Sequence, residues 1–345
     1  MIYYTGLLLY IFMIYFFTLS VKNRKKGKKI FFVLVCLGVI LFQGFRDFSV
    51  GTDLIGYIPG YIKIGNMKIL SFNDIKNLKY QNYEIGYIIL NKMIYLLGCD
   101  EREFLIIIST IIQIPIFFTI YKYSSYYFMS VLWYFSFGKF LMTFSGLRQS
   151  IAMSFVFSGY YFIRNKKKYK FVLLIIFASL FHKSALFCLV LYPLYYIKID
   201  RKKILFIFFI FILLFLFKER VLFIVSRLYY GESDSIVNTG AYMMFIIYFL
   251  LYVFSMYFEK KGKDYQGLRN ILLLLTIIFV FASIHNTITR IGYPLALYTV
   301  LFIPELVTSI KFKPRFLYLG GIYSIIIICF YYFLGAMDTL PFQFG

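Results

Sequence analysis

FLIIISTIIQIPIFFTIY, residues Phe104–Tyr121, decides the fold class. It runs for a whole membrane-scale segment without a charge. A helix rises 1.5 Å per residue, so about 20 apolar residues cross the roughly 30 Å of bilayer hydrocarbon. Comparable runs recur at Ile30–Gln43, Tyr242–Phe258 and Phe316–Leu334. None alternates with a period of two, as the strands of a membrane barrel do. Lipid tolerates only helices and closed barrels, so the reading is all-α: a polytopic integral membrane helical bundle. Composition agrees. Of 345 residues 61% are hydrophobic, with a mean hydropathy of +0.79, where soluble domains are about half apolar. Ile2–Ser20 has no positive charge before its apolar core and no small-residue cleavage site after it. It therefore reads as a retained span rather than a signal peptide.

Charge orients the bundle. The net charge is +22, and the basic residues cluster between apolar runs, at Lys22–Lys29, Arg164–Lys170, Lys198–Lys203, Lys260–Arg269 and Lys311–Arg315. With Lys122 these clusters hold 23 of the 37 Lys and Arg, and the positive-inside rule assigns them to the cytoplasm. Nucleic acid is excluded as a partner, because its basic patches would be soluble and contiguous. The segment Glu84–Gly98, with Asn91 and Lys92, breaks the parity if it spans. Its short apolar length suits a re-entrant or interfacial helix. About 12 spans result, with both termini outside. The chain reads as one transmembrane domain, 1–345, with a main extracytoplasmic loop at 46–83 and a second at 218–240. No internal repeat of the kind many transporters carry is visible.

Ionisable groups near the apolar region cost about 2.5 to 3.5 kcal/mol each on insertion scales, so they mark function. Five polar clusters fall on the expected outer face: Arg46-Asp47 through Asp53, Glu84, Ser145 through Ser150, His182-Lys183, and His285 through Arg290. Each has a plainer reading. Arg46 beside Asp47 is a common snorkelling pair at a span end. Ser145 could cap the following helix, but the cap would leave Arg148 and Gln149 in its first turn, where a cation opposes the helix dipole. An anionic ligand explains Arg148 better. His182 and Lys183 sit in a hairpin turn that needs polarity but no imidazole. His285 could be an ordinary polar helix end, and Arg290 a further anion ligand. Arg suits phosphate through its planar fork. An anion reached from the outer leaflet suggests a polyprenyl-phosphate or pyrophosphate carrier, and a carboxylate or imidazole beside it suggests a general base. The candidate base is Asp53, Asp47 or His182, with Asp53 first because it follows the Gly51 turn. Arg46, Arg148, Gln149, Lys183, Arg290, Glu84 and His285 are the candidate ligands for pyrophosphate and glycan. The four cysteines form no CxxC pair, and no Walker loop, zinc spacing, GxSxG or HExxH occurs. No metal or cofactor is expected.

The order Arg46…Val50-Gly51-Thr52-Asp53…Tyr57, Glu84-Ile85-Gly86-Tyr87, Leu147-Arg148-Gln149-Ser150-Ile151-Ala152 and His182-Lys183-Ser184-Ala185-Leu186 resembles the EpsG family over nearly the whole chain. Arg290-Ile291…Tyr293 and Leu340-Pro341-Phe342 are similar more weakly. That family is a branch of the Wzy-like polysaccharide polymerases. The resemblance implies GT-C-like architecture and a multi-pass protein of the bacterial cytoplasmic membrane. It implies a metal-independent glycosyltransferase-type polymerase, active at the outer face. The substrate would be an undecaprenyl-pyrophosphate-linked oligosaccharide, joined into exopolysaccharide, capsule or O-antigen. Membrane lipid, chain-length regulators and flippases would be its partners. A lipid-linked glycan flippase or transporter, and a glycan ligase or acyltransferase, are the alternatives.

Overall fold

The computed structural model describes residues 1–68, 83–199, 204–230, 242–258, 262–282, 286–334 and 339–345. Among these residues all regular structure is helical. In chain order the helices are α1 (Ile2–Leu19), α2 (Arg24–Gly44), α3 (Leu54–Asn66), α4 (Ile85–Leu96), α5 (Glu101–Tyr123), α6 (Tyr127–Phe135), α7 (Met142–Ser145), α8 (Leu147–Ser158), α9 (Tyr160–Arg164) and α10 (Lys168–Ser179). A 3₁₀ helix (Lys183–Val190) leads into α11 (Leu191–Tyr196), followed by α12 (Ile204–Tyr230), α13 (Tyr242–Tyr257), α14 (Lys263–Ala282), α15 (Asn286–Ser309) and α16 (Arg315–Phe333). Among the described residues six helices are long and apolar enough to cross a membrane: α1, α2, α5, α16 and most of α14 and α15. The expected count of about 12 also needs crossings assembled from shorter pieces, such as α6 with α7 and α8 with α9.

Contacts sort the connections to two ends. At one end Lys28 lies over the rings of Tyr121 and Tyr127, Lys122 over Tyr161, and Arg164 over Tyr123. Arg164 also pairs with Asp264 at 2.8 Å. This basic end gathers clusters that are far apart in sequence. The opposite end, the loop end, collects the connections after α2, before α5, before α8 and after α10. Helix α4 has both ends there: Glu84 meets Arg148, and Arg102, just past its other end, donates to the carbonyl of Gly44 at 3.1 Å. It packs on α3.

Two stretches expected as loops are partly helical. Helix α3 lies within 46–83, and α12 runs on to Tyr230 within 218–240. Pro59 and three glycines disguise α3 as loop sequence. Yet its Leu54, Tyr57, Ile58, Tyr61 and Ile64 recur at helical spacing and are buried.

A break between α6 and α8 positions the candidate site. Helix α6 has nine residues, roughly 14 Å, and ends well short of a bilayer's thickness. Residues 136–141 are irregular, with Phe137 and Gly138 at φ +57° and +71°. Non-helical backbone at membrane depth must be buried in protein with its polar groups satisfied. Here every residue from 136 to 145 is buried. Gln43 donates from Nε2 to the Thr143 carbonyl (2.6 Å), Gln113 donates to Gln43 Oε1 (2.7 Å), and Tyr134 donates to Gln113 Oε1 (2.9 Å). This network ties the break to α2, α5 and α6.

Candidate functional site

The segment after α2 is built around a buried arginine. Arg46 is fully buried and donates to the carbonyls of Val50 (3.2 Å), Gln43 and Phe144 (3.1 Å). Its guanidinium carbon lies 4.9 Å from the centroid of the Phe144 ring. Gly51 has φ +111°, and a Cβ there would come within 2.6 Å of the Phe144 carbonyl oxygen, so only glycine fits. The Thr52 N–H then donates to Ser145 Oγ at 3.1 Å. This turn leaves Asp53 exposed at the head of α3, with no hydrogen bond from its side chain to that helix.

Arg148 stands in the first turn of α8, as its sequence position required. Its Nη1 lies 2.5 Å from Glu84 Oε2, and its Nε donates to the Tyr57 hydroxyl at 3.3 Å. The Tyr83 ring centroid lies 4.9 Å from the guanidinium. Glu84 faces two ways. Its Oε1 accepts the Lys183 N–H at 3.3 Å and sits 3.2 Å from His182 Nδ1, a charge-pair distance without hydrogen-bond alignment. Gly86 lets α4 approach this turn: its N–H donates to the Leu180 carbonyl at 2.8 Å, and a Cβ would meet Leu180 at 2.8 Å. Burial works to raise the pKa of Glu84. The imidazole of His182 and the charge of Arg148 outweigh it and hold the carboxyl below its usual range.

The fourth wall comes from α15. Gln149 donates from Nε2 to the Arg290 carbonyl at 2.6 Å. Thr289, Arg290 and Tyr293 then close a cleft of about 310 Å³. Asp53, Arg148, Gln149, His182 and Arg290 all line it, together with Thr52, Tyr57 and Ser145. Two guanidinium groups, an imidazole, a carboxylate and several hydroxyls thus converge from four separate stretches of sequence. Such a set can hold a phosphate group and accept a proton from a hydroxyl.

Other expected residues stand elsewhere. Arg46 braces the loop behind the cleft rather than lining it, because three backbone carbonyls take its donors. Asp47 is also outside the lining. Its Oδ1 accepts the N–H and the hydroxyl of Ser49 (2.9 and 2.6 Å), which hold its pKa below the usual value. Glu84 sits behind Arg148 and His182 as an anchor. Lys183 is exposed and joins through its backbone. His285 lies outside the described residues. Tyr83, stacked on Arg148, was not singled out by sequence; its only signal was its place beside Glu84. A larger cavity, about 530 Å³, opens at the basic end between Arg164, Tyr195 and Asp264. Its Asp264 is already engaged by Arg164 and by the Tyr195 hydroxyl (2.7 Å).

The profile of the EpsG family matches residues 29–344, nearly the whole chain, and the protein belongs to that family. This makes it a membrane protein of polysaccharide biosynthesis. No curated protein and no solved structure matches the chain.

Proposed function

We propose that this EpsG-family protein polymerises undecaprenyl-pyrophosphate-linked oligosaccharide units into exopolysaccharide, capsule or O-antigen at the outer face of the cytoplasmic membrane. About 12 crossings in a GT-C-like arrangement, with both termini outside, belong to the same reading. The observation that carries it is the convergence of Arg148, Arg290, His182 and Asp53 in one cleft, at the end opposite the basic clusters.

The chemistry follows from those groups. Asp53 accepts the proton of a sugar hydroxyl on the incoming lipid-linked unit. That oxygen bonds to the anomeric carbon of the growing chain. The bond from this carbon to the pyrophosphate oxygen breaks, and its electron pair leaves with undecaprenyl pyrophosphate. Charge grows on the leaving group, so fixed donors from Arg148 and Arg290 stabilise the transition state more than the ground state. His182 and Gln149 hydrogen-bond and orient the substrates. A direct displacement of this kind inverts the anomeric centre. No step calls for a metal.

The test is gel analysis of lipid-linked glycan from cells that carry only Arg148→Ala, with its membrane level matched to wild type. Single repeat units at the outer face, without long chains, are the expected result. Full-length polymer would overturn the assignment. Units held on the cytoplasmic face would point to a flippase, and normal polymer lacking only its terminal attachment would point to a ligase.

A further inference from the structure

Helices α1 and α2 leave an apolar groove of about 860 Å³, larger than the cleft. Leu7 and Tyr10 of α1, Phe42 of α2 and Phe45 just past its end form its sides. Gly6 and Gly38 keep it open, and at Gly6 a Cβ would meet no atom within 4 Å. Ile2, Leu41 and Phe45 are exposed, so the groove faces the hydrocarbon. Along α2 it runs from Leu37 to Phe45, about 12 Å at 1.5 Å per residue. That is close to one leaflet's share of a roughly 30 Å hydrocarbon layer, and it is the half nearer the cleft.

The loop end of the groove is polar. Gly345, which lines it, lies against Asp47 and the guanidinium of Arg102. Arg102 is held by the carbonyls of Gly44 and Arg46 and lies 4.7 Å from the Phe48 ring centroid. Arg102 and the buried Arg46 bring two guanidinium groups to this end, beside the carboxylate of Asp47. One layer of rings separates groove from cleft. Phe42 stacks on Phe342 at 4.4 Å and meets Phe144 at 6.4 Å, and Ser145, the next residue, lines the cleft. A second apolar groove, about 400 Å³ between α2 and α5, includes Lys29 and lies toward the basic end, away from the cleft.

We propose that the α1–α2 groove seats the hydrocarbon chain of the lipid-linked substrate, with Arg102 guiding its diphosphate toward the cleft. This rests on the polymerase reading. Two features favour the carrier over an ordinary phospholipid: the guanidinium at the mouth and the nearness of the cleft.

The test uses the full chain in nanodiscs and a photoreactive polyprenyl diphosphate, with the labelled peptides mapped. The expected label falls on Ile2–Leu19 and Arg24–Gly44. Unlabelled polyprenyl diphosphate should compete for it, and phosphatidylglycerol should not. Gly6→Trp, or the smaller Gly6→Leu, should fill the groove. Labelling should fall about tenfold and KM for the lipid-linked donor should rise, with kcat near wild type. Arg102→Met should weaken labelling by the diphosphate but not by the neutral polyprenol. Label elsewhere, or equal competition by phosphatidylglycerol, overturns the proposal. If wild type makes polymer and both Gly6 variants keep its KM, the groove inference fails alone. If wild type makes no polymer yet α1 and α2 are labelled as expected, the polymerase reading fails and the groove stands as a seat for lipid diphosphate.

Discussion

Arg148 is tolerable at a helix N-terminus because Glu84 faces it, and the same carboxylate reaches His182. Their joint effect lowers the Glu84 pKa below 4.5. A depressed carboxyl pKa contributes stability that is complete above the unfolded value and lost as pH falls through the folded one. The unfolding temperature of the purified protein should therefore fall as pH drops below about 4.5, and Glu84→Gln should flatten that part of the profile. An unchanged slope in the variant would remove Glu84 from this role. Arg148→Lys retains charge but loses the fork. Losing one such donor typically costs about 10²- to 10³-fold in rate, measurable as polymerisation by purified protein. Lys139 presents the opposite problem. Its buried ammonium lies 4.9 and 4.8 Å from the ring centroids of Trp133 and Phe137, and among the described residues no carboxylate pairs with it. Ring contacts of this kind supply about 2 kcal/mol each when desolvated, and the Ser136 carbonyl is a distant acceptor at 3.5 Å, whereas burying an ion costs several kcal/mol. Lys139→Met should raise the unfolding temperature; a fall would mean that the aromatic clasp outweighs the desolvation.

Among the elements, the break between α6 and α8 carries the most consequence, since it delivers Arg148 and Gln149. Gln113→Leu would strip partners from Gln43 and Tyr134 in the interior, at about 1 to 3 kcal/mol. A lowered unfolding temperature, with polymerisation reduced, is the expected result. Gly51→Ala should destabilise by about 1 to 3 kcal/mol, since its φ is left-handed, and should misplace Asp53; wild-type stability would contradict the packing described for Phe144. What could be read beforehand follows from the same physics. Long uncharged runs announce helices without any partner, and polar clusters at their ends announced the lining of the cleft. Gln113 lay in plain view in Phe104–Tyr121, but a lone amide says nothing of partners 70 and 30 residues away. Arg46 looked like a ligand because its engagement with Phe144, 98 residues on, is set only by packing. Helix α3 escaped notice because it is short and interrupted by proline.

For the whole molecule, the proposed orientation places the cleft outside and the basic clusters inside. In a chain with its native cysteines changed to serine, Ser49→Cys should react with an impermeant maleimide applied outside intact cells. Lys166→Cys should react only after permeabilisation. The reverse pattern would invert the topology and withdraw the proposed face of action. A different consequence follows from the tail. Thr339 accepts a hydrogen bond from Tyr4, Phe344 pairs with Arg46, and the Gln343 carbonyl accepts the Asp47 N–H. Chains grow at about 5 to 20 residues per second. The turn that presents Asp53 therefore waits roughly 15 to 60 seconds after its own synthesis for the strand that completes it. Among the described residues the six helices long and apolar enough to cross a membrane all precede that segment, so a nascent chain halted near Leu334 would have them threaded while the turn that presents Asp53 is unfinished.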